Sequence, residues 1–319
     1  MNDQTTADIA VEWDALSAKE WSSLLAKAPI ATFQQSYGFG EVIRAHRGGI
    51  FRVQLLADGK TVGLAQIHTR RLAGLATLAT LMLGPVWLAD HVPVDIKAAL
   101  YSQLKKTLPV KGVHAFVVMP WEGDEGPASL GLKQVVTPYH TALINLEPTE
   151  DDLLAGLDRS WRNKLRGAQK SSVRISPLGR TEQQYGWLLQ KEREQQKRIG
   201  YRAMPVGLVP AWAEQTGQQA LYGWEAKMGD ERLGGILCLR HGTTATYHIG
   251  WASEAGKKAK VMNLLLWTAM TALKKKGVRI LDLGGLDTDH GPGIATFKLA
   301  SGARLVSQPG TFLLRAGWR

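Results

Sequence analysis

Cysteine is almost absent from this sequence of 319 residues, which contains only Cys238, inside the apolar run 236–239. A single cysteine excludes both a disulfide framework and a cysteine-based zinc site within one chain. It also indicates a reducing compartment. The first four residues, Met-Asn-Asp-Gln, lack the basic start and apolar stretch of a secretory signal, so the expected location is the cytoplasm.

A long uninterrupted apolar run is missing as well. The stretch 72–89 carries no charged residue, but Gly74 and Gly84-Pro85 interrupt it. A membrane-spanning helix needs about 20 mostly apolar residues. We therefore interpret this stretch as a buried strand and loop in a protein without a span. A patch that touches a membrane and a true span are the alternatives.

Acidic residues are scarce relative to basic ones, with 28 Asp and Glu against 39 Lys and Arg, a formal net charge of +11 and a pI of about 9.7. This balance favours a polyanionic partner such as nucleic acid, a nucleotide-linked substrate or an anionic membrane face. Charge alone does not choose among them, and it leaves peripheral contact with the inner membrane open. Hydrophobic residues at 45% and charged residues at 21% exclude a disordered or fibrous class.

The order of predicted elements occurs twice along the chain. A length of 319 residues exceeds what one core usually organises, so two domains are expected. Each half contains a hairpin, a helix and then a strand. In the first half these are 51–57 and 61–67 around Asp58-Gly59, then helix 94–108 and strand 113–119; in the second they are 220–228 and 232–240 around Gly229-Asp230, strand 243–249, helix 258–276 and strand 278–283.

This repetition predicts an α/β protein made of two similar units, each a mixed sheet with flanking helices. We place the boundary near Leu146-Glu147-Pro148, which gives domains of residues 1–147 and 148–319. A further helix over 182–198 precedes the second sheet and either projects from the domain or covers it.

The densest basic segment covers residues 159–174. On a helix, Arg159, Arg162, Arg166 and Lys170 lie at i, i+3, i+7 and i+11, so they share one face. Acidic residues are absent from this segment, and the arginine fork matches phosphate well, so we expect an anion against this face. The alternative is a solvated helix face. A second basic segment, 197–202, interleaves Arg198 with Tyr201, a mixture that suits a nucleotide or an RNA end, or else an ordinary helix end.

The C-terminal region carries the most informative pattern. The strand that ends in Asp282 runs into Gly284 and Gly285, which places flexible backbone at the carboxyl edge of a sheet, where α/β ligand sites gather. Phe297-Lys298 follows a loop that contains glycine and proline. Lys298 is a candidate to stabilise a developing oxyanion, and a plain surface lysine is the alternative.

Taken together, these motifs resemble the signature of the FemABX-like aminoacyltransferases, which form peptidoglycan bridges. The matching segments are the basic helix with Arg162, Arg166 and Lys170, the strand 247–253 with its tyrosine, the D-L-G-G run 282–285, the F-K pair 297–298, the F-Q-S-like opening 32–36 and the G-P segment 83–86. The resemblance covers most of the chain and is most specific over 247–302. Two departures are Tyr37-Gly-Phe39, where the family has a tryptophan, and 299–302, which lacks an aromatic residue.

The resemblance implies two tandem acetyltransferase-like (GNAT-like) domains and transfer of an amino acid from aminoacyl-tRNA to an amine of a nucleotide- or lipid-linked peptidoglycan precursor. It implies that Lys298 stabilises the oxyanion, that Phe297 packs near the tRNA end and that Tyr247 orients the acceptor. No cofactor or metal is expected. The remaining residues that it assigns to substrate binding are Arg162, Arg166, Lys170, Arg198, Tyr201, Asp282, Gly284 and Gly285.

Two other functions remain open at this point. An acyl-CoA-dependent N-acyltransferase would share the fold, but its pyrophosphate loop, Q/R-x-x-G-x-G/A, is not matched at 252–259. A non-enzymatic protein that binds nucleic acid or a membrane surface would explain the charge but not Lys298. Asp287, Asp289 and His290 suggest a metal site, although a polar loop after a strand is the simpler interpretation.

Overall fold

The computed structural model describes residues 7–72, 76–112, 114–199, 204–286 and 292–317. The chain forms two compact units, one of Met1–Tyr139 with Ser307–Arg319 and the other of His140–Val306. This division differs from the predicted boundary after residue 147 in two places. Residues 140–145 form a strand of the second sheet, and residues 311–317 return to the first sheet.

The first unit contains β1 (Ile9–Trp13), α1 (Ala18–Leu25), α2 (Tyr37–Ala45), β2 (Gly49–Ala57), β3 (Lys60–Leu72), β4 (Ala76–Met82), β5 (Val86–Trp87), α3 (Val94–Thr107), β6 (His114–Met119), α4 (Gly126–Ser129), β7 (Lys133–Val136) and, from the end of the chain, β15 (Thr311–Gly317). The second unit contains β8 (His140–Asn145), α5 (Glu150–Ala155), α6 (Arg159–Gln169), β9 (Arg174–Pro177), α7 (Glu182–Ile199), α8 (Leu208–Thr216), β10 (Leu221–Met228), β11 (Glu231–His241), β12 (Thr244–Ala252), α9 (Glu254–Lys258), α10 (Val261–Lys275), β13 (Ile280–Gly285), α11 (Pro292–Leu299) and β14 (Arg304–Ser307).

The first unit is built on the sheet β1-β2-β3-β4-β6-β15-β7, with β5 paired to β3. The β2–β3 hairpin closes through Asp58-Gly59, whose φ angles of 49° and 70° match the right-handed twist of the strands. β4 and β6 are parallel and are joined through α3. The core against α3 includes Leu55, Ile67, Leu81, Leu100, Leu104, Phe116 and Val118, all buried.

The second unit is built on the sheet β14-β8-β13-β12-β11-β10-β9. Here β10, β11 and β12 are antiparallel neighbours, and β12 is parallel to β13 after a crossover through α10. This is the arrangement of β2, β3, β4, α3 and β6, so the predicted pair of similar α/β units is confirmed. Its core joins the sheet to α6 and α10 and includes Leu146, Trp161, Leu165, Ile236, Leu265, Leu266, Met270 and Leu281.

Helices cover both faces of the second sheet. Two adjacent glycines of β11 demonstrate this, because each contacts a different helix. A Cβ at Gly234 would lie 3.0 Å from Val261 at the start of α10, whereas a Cβ at Gly235 would lie 2.8 Å from Trp187 of α7. Successive residues of a strand face opposite sides, so α7 covers the face opposite α10. The helix predicted over 182–198 therefore packs on the sheet and does not project.

The helix predicted over 258–276 is wrong in its first turn. The structure has two helices, α9 and α10, separated at Ala259–Lys260. Lys260 has a φ of 58° and so adopts the left-handed conformation, which a right-handed helix cannot continue. The helical spacing of apolar residues from Met262 onward did not indicate this break.

In the uncharged stretch 72–89, residues 73–75 lie outside the described residues and Leu72 ends β3. The rest forms β4, a buried bend at 83–85 and β5. Ala79 and Leu81 of β4 are fully buried, so the predicted buried strand and loop are confirmed. Among the residues that the structure describes, no helix is both long and apolar enough to cross a membrane.

The close packing of α9 on β11 leaves no room for a side chain at Gly256. A Cβ at Gly256 would overlap the carbonyl oxygen of Leu233. We expect Gly256→Ala to lower the free energy of unfolding by about 1–3 kcal/mol, because backbone must move to admit the methyl group. The matched control is Gly186→Ala on α7, where a Cβ meets nothing within 4 Å and alanine favours the helix. Urea denaturation measures both, and equal stability of the two variants would contradict the close packing.

Candidate active site

A gap opens in the second sheet where β12 and β13 separate. The two strands pair only through Thr244–Thr246 and Ile280–Asp282, although β12 continues to Ala252 and β13 to Gly285. Within the described residues, the carboxyl ends of two adjacent parallel strands are thus left unpaired to each other. Such an opening exposes backbone groups and side chains to a ligand.

Lys298 lies at this opening and is held by backbone carbonyls. It comes from α11, its side chain is 9% exposed, and Nζ donates to Gly285 O at 2.7 Å and to Gly284 O at 3.3 Å. Burial lowers the pKa of its ammonium group to about 8, and the negative charge of Asp282 opposes this fall. At neutral pH the group is therefore still mostly protonated and can donate to a developing negative charge.

Asp282 ends the regular part of β13 and fixes the glycine turn. One carboxylate oxygen, Oδ1, accepts from Gly284 N at 2.8 Å and from Thr141 Oγ1 at 2.7 Å. Burial raises the pKa of Asp282, while these two hydrogen bonds and the charge of Lys298 lower it. The carboxylate therefore acts on the backbone of its own turn, and Gly284 is needed there because its φ is +72°.

Tyr247 approaches the same turn from β12. A Cβ at Gly284 would lie 3.9 Å from Tyr247 O and 4.0 Å from Lys298 Nζ. The pairing of β12 with β11 skips one residue at His248, and this bulge puts Tyr247 and Gly250 on one face of the strand. A Cβ at Gly250 would overlap the Tyr247 hydroxyl, so glycine leaves room for this ring.

Phe297 points toward α6. Its half-buried ring packs against the Trp161 indole, with ring centroids 5.8 Å apart and planes tilted by 34°. A backbone hydrogen bond of 3.0 Å from Asp158 N to Ala300 O joins the start of α6 to the end of α11. The basic helix and the lysine helix are therefore neighbours within the second unit.

α6 presents its cations outward because its apolar face is buried. Trp161, Leu165 and Ala168 face the core, and the Asp158 side chain caps the first turn by accepting from Ser160 N and Trp161 N. Arg166 and Lys170 are exposed and Arg162 is half-buried, with Lys170 just beyond the last helical residue. Among the described residues, no carboxylate forms a salt bridge with these three cations.

A shallow groove runs along the outer side of α6. It has a volume of about 600 Å³ and is lined by Asp158, Arg159, Ser160, Asn163, Lys164, Gly167 and Lys260. Arg159 and Lys164 are exposed, and a Cβ at Gly167 would meet nothing within 4 Å, so the middle of the groove is open. Arg159, Lys164 and Lys260 thus place three cations beside an open helix surface, which suits the phosphate backbone of a nucleic acid.

The other predicted residues are not all part of this opening. Arg198 is exposed near the end of α7, and Tyr201 lies outside the described residues, as do Asp287, Asp289 and His290. The pKa of the exposed Glu254 is lowered chiefly by a hydrogen bond from Lys257 and to a smaller extent by the charge of Arg198, so Arg198 lies near α9. In the part of the chain that the structure describes, no three metal-ligating side chains cluster.

The structure thus brings Tyr247, Asp282, Gly284, Gly285, Phe297 and Lys298 into one region of the second unit. The sequence interpretation missed Thr141, Trp161, Lys164 and Lys260. Trp161 and Lys164 lie inside the basic segment, where an aromatic residue and a further cation among the arginines could have indicated them. Thr141 carried no signal, because its partner Asp282 lies 141 residues away.

Residues 158–298 match the sequence profile of the acetyltransferase (GNAT) domain family. No curated protein matches the chain in sequence. This matched segment covers α6 and most of the second sheet and ends at Lys298.

Solved structures resemble the chain over nearly its whole length. FemX superposes with a TM-score of 0.77 at 16% identity, covering 95% of this chain and 97% of FemX. A conserved protein of unknown function from Bacteroides thetaiotaomicron has a TM-score of 0.60 at 12% identity, covering 96% of this chain and 100% of its own. The C-terminal domain of a putative lysylphosphatidylglycerol synthetase from Agrobacterium fabrum has a TM-score of 0.52 at 11% identity, covering 94% and 93%. These comparisons confirm the predicted fold, two tandem GNAT-like domains.

Proposed function

We propose that this protein transfers an amino acid from aminoacyl-tRNA to an amine on the stem peptide of a peptidoglycan precursor. The observation that carries the proposal is the Lys298 ammonium, buried and held by the Gly284 and Gly285 carbonyls where β12 and β13 separate. This group is positioned before any substrate binds, so it costs little reorganisation during reaction.

The reaction is the aminolysis of an ester. The acceptor amine attacks the ester carbonyl, whose electron pair moves onto oxygen, and Lys298 stabilises that oxyanion. Collapse of the tetrahedral intermediate forms the amide bond and breaks the bond to the ribose oxygen of the tRNA, which leaves with the proton lost by the amine. Tyr247 orients the acceptor beside Lys298 in this proposal, and positioning supplies much of the rate.

The basic surface of α6 supports a tRNA donor. Arg162, Arg166 and Lys170 have no carboxylate within salt-bridge distance among the described residues, and the groove adds Arg159, Lys164 and Lys260. Phosphate contacts of this kind supply most of the affinity for a nucleic acid without regard to sequence. The packing of Phe297 on Trp161 connects this surface to the lysine that acts on the ester.

The junction between β12 and α9 gives little support for an acyl-CoA donor. A pyrophosphate needs several free backbone N–H groups at a helix start. Here Gly256 N donates to Ser253 Oγ at 3.0 Å and Ser253 N donates to Leu233 O at 2.9 Å. Two of the four N–H groups that a helix start leaves free are therefore already used.

The deciding experiment offers both classes of donor to the same enzyme. The protein is incubated with a mixture of charged tRNAs and a nucleotide-linked muropeptide, and mass spectrometry measures the gain in mass of the muropeptide. A parallel reaction replaces the tRNAs with acyl-CoA thioesters. We expect addition of one amino acid residue only with charged tRNA. A gain in mass with acyl-CoA alone would replace the proposal by the acyl-CoA alternative.

The rate of transfer should fall as the pH rises through about 8. Burial lowers the pKa of Lys298 to about 8, so the ammonium is present below that pH and is lost above it. Single-turnover rates between pH 6 and pH 10 should show a fall of about tenfold per pH unit on the alkaline side. Lys298→Arg retains its charge over this range, so its residual rate should not show this fall. Parallel profiles for the two proteins would contradict the assignment.

A further inference from the structure

Thr141 lies in the second sheet directly behind the glycine turn. It belongs to β8 and is 1% exposed, and its hydroxyl donates to Asp282 Oδ1 at 2.7 Å. A hydroxyl that donates to a carboxylate forms a charge-assisted hydrogen bond, which is shorter and stronger than one between two neutral groups.

The pairing of β8 with β13 explains why this contact affects the turn. Leu143 lies opposite Asp282, and Thr141 lies opposite Gly285. Regular antiparallel pairing would place Thr141 opposite Gly284, so β13 contains one extra residue here. Gly284, with its φ of +72°, is part of this bulge. The Asp282 carboxylate spans the bulge by accepting from Gly284 N at 2.8 Å.

The same bulge carries both acceptors of Lys298. Its Nζ donates to the carbonyl oxygens of Gly284 and Gly285, at 3.3 and 2.7 Å. Their orientation depends on the backbone of the bulge, and that backbone is tied to Asp282 and through it to Thr141. The chain of contacts from the Thr141 hydroxyl to the ammonium group therefore has no gap.

We infer that Thr141 is a positioning residue, whose hydroxyl fixes Asp282 and the Gly284–Gly285 bulge and thereby sets the place of the Lys298 ammonium group. The inference rests on the proposed function only in taking Lys298 as the cation that acts on the substrate. A valine at 141 would fill the same volume but has no hydroxyl. Asp282 Oδ1 would then keep the hydrogen bond from Gly284 N and lose the one from Thr141. Displacement of a catalytic group by a fraction of an ångström slows the chemical step more than it weakens substrate binding.

The test compares Thr141→Val with Thr141→Ser, which restores a hydroxyl. We expect the valine variant to lower kcat about tenfold with KM for both substrates within about twofold of wild type, and the serine variant to recover most of the rate. The matched control is Thr268→Val on α10, whose hydroxyl donates to Leu264 O of its own helix. This control should retain wild-type kcat. Should the valine variant fail to fold, Thr141→Cys makes the same comparison with a weak donor of similar size.

A second measurement does not depend on the identity of the substrates. Acetic anhydride is added at one pH, and mass spectrometry compares the labelling rate of Lys298 with that of Lys274, which also donates to two backbone carbonyls. We expect Lys298 in Thr141→Val to react several times faster relative to Lys274, and Thr141→Ser to react as wild type. Unchanged labelling in a folded valine variant overturns the inference, and so does a serine variant as slow as valine in transfer. If wild type transfers nothing in the donor assay, the proposed function fails while the labelling experiment still decides the role of Thr141.

Discussion

Replacement of Lys298 by methionine should lower kcat for aminoacyl transfer by about 10²–10³-fold and leave the Kd for the donor tRNA within about twofold. Removal of one preformed donor to an oxyanion has effects of that size in other acyl-transfer enzymes. Methionine has nearly the same length as lysine, so the space beside Gly284 and Gly285 stays filled. The lost interaction belongs to the transition state, and binding of the ground state should change little.

Lys274→Met is the matched control for this substitution. Lys274 Nζ donates to the carbonyl oxygens of Leu146 and Glu147 at 2.8 and 2.9 Å, so it also gives up two hydrogen bonds to backbone. Its carbonyls lie after β8 and not at the end of β13, and we expect its kcat to stay near that of wild type. Single-turnover transfer and thermal unfolding are measured for both variants. A folded Lys298→Met enzyme with wild-type kcat would remove Lys298 from the mechanism.

Reversal of charge on the outer side of α6 should weaken tRNA binding strongly and change its dependence on salt. We expect Lys164→Glu with Arg166→Glu to raise the Kd for tRNA by about 10- to 100-fold at low ionic strength. Each phosphate contact contributes about 0.7–0.9 to the slope of log K against log salt, so the loss of two contacts should reduce that slope by about 1.5. Filter binding between 25 and 200 mM salt would measure both quantities.

The control for net charge is Lys105→Glu with Lys106→Glu at the exposed end of α3 in the first unit. This pair changes the charge of the protein by the same amount without touching α6. If both double variants lose the same affinity, the effect comes from overall charge, and α6 returns to the alternative of a solvated helix face. If neither double variant loses affinity for tRNA, then tRNA binds elsewhere on the protein or does not bind.

The fold could be predicted largely because its strongest signals are local. Asp58-Gly59 closes a two-residue hairpin, since both residues accept positive φ angles. The helix α3 follows from its apolar spacing, and the repeated order of hairpin, helix and strand indicated two similar units. The break between α9 and α10 could not be predicted, because Lys260 adopts a left-handed conformation that lysine does not favour.

The division of the chain between the two units depends on contacts that sequence order hides. β8 follows the first unit directly in the chain but pairs with β13, and β15 follows the second unit but pairs with β6. Strand pairing is specified by register and burial between distant segments, and a linear pattern contains neither. A boundary near residue 147 was therefore the natural expectation from the helix that begins at Glu150.

The sequence by itself determined the residue types of the candidate site, because the glycines after Asp282, the F-K pair and the basic helix are local patterns with recognisable spacing. Only the tertiary structure decided how Lys298 is held. Its ammonium group meets Gly284 and Gly285 across 14 and 13 residues, and the bulge that presents their carbonyls is anchored by Thr141, 141 residues from Asp282. Burial in that arrangement lowers the pKa of Lys298. Desolvation is a property of the folded surroundings, and no neighbouring residue in the sequence specifies it.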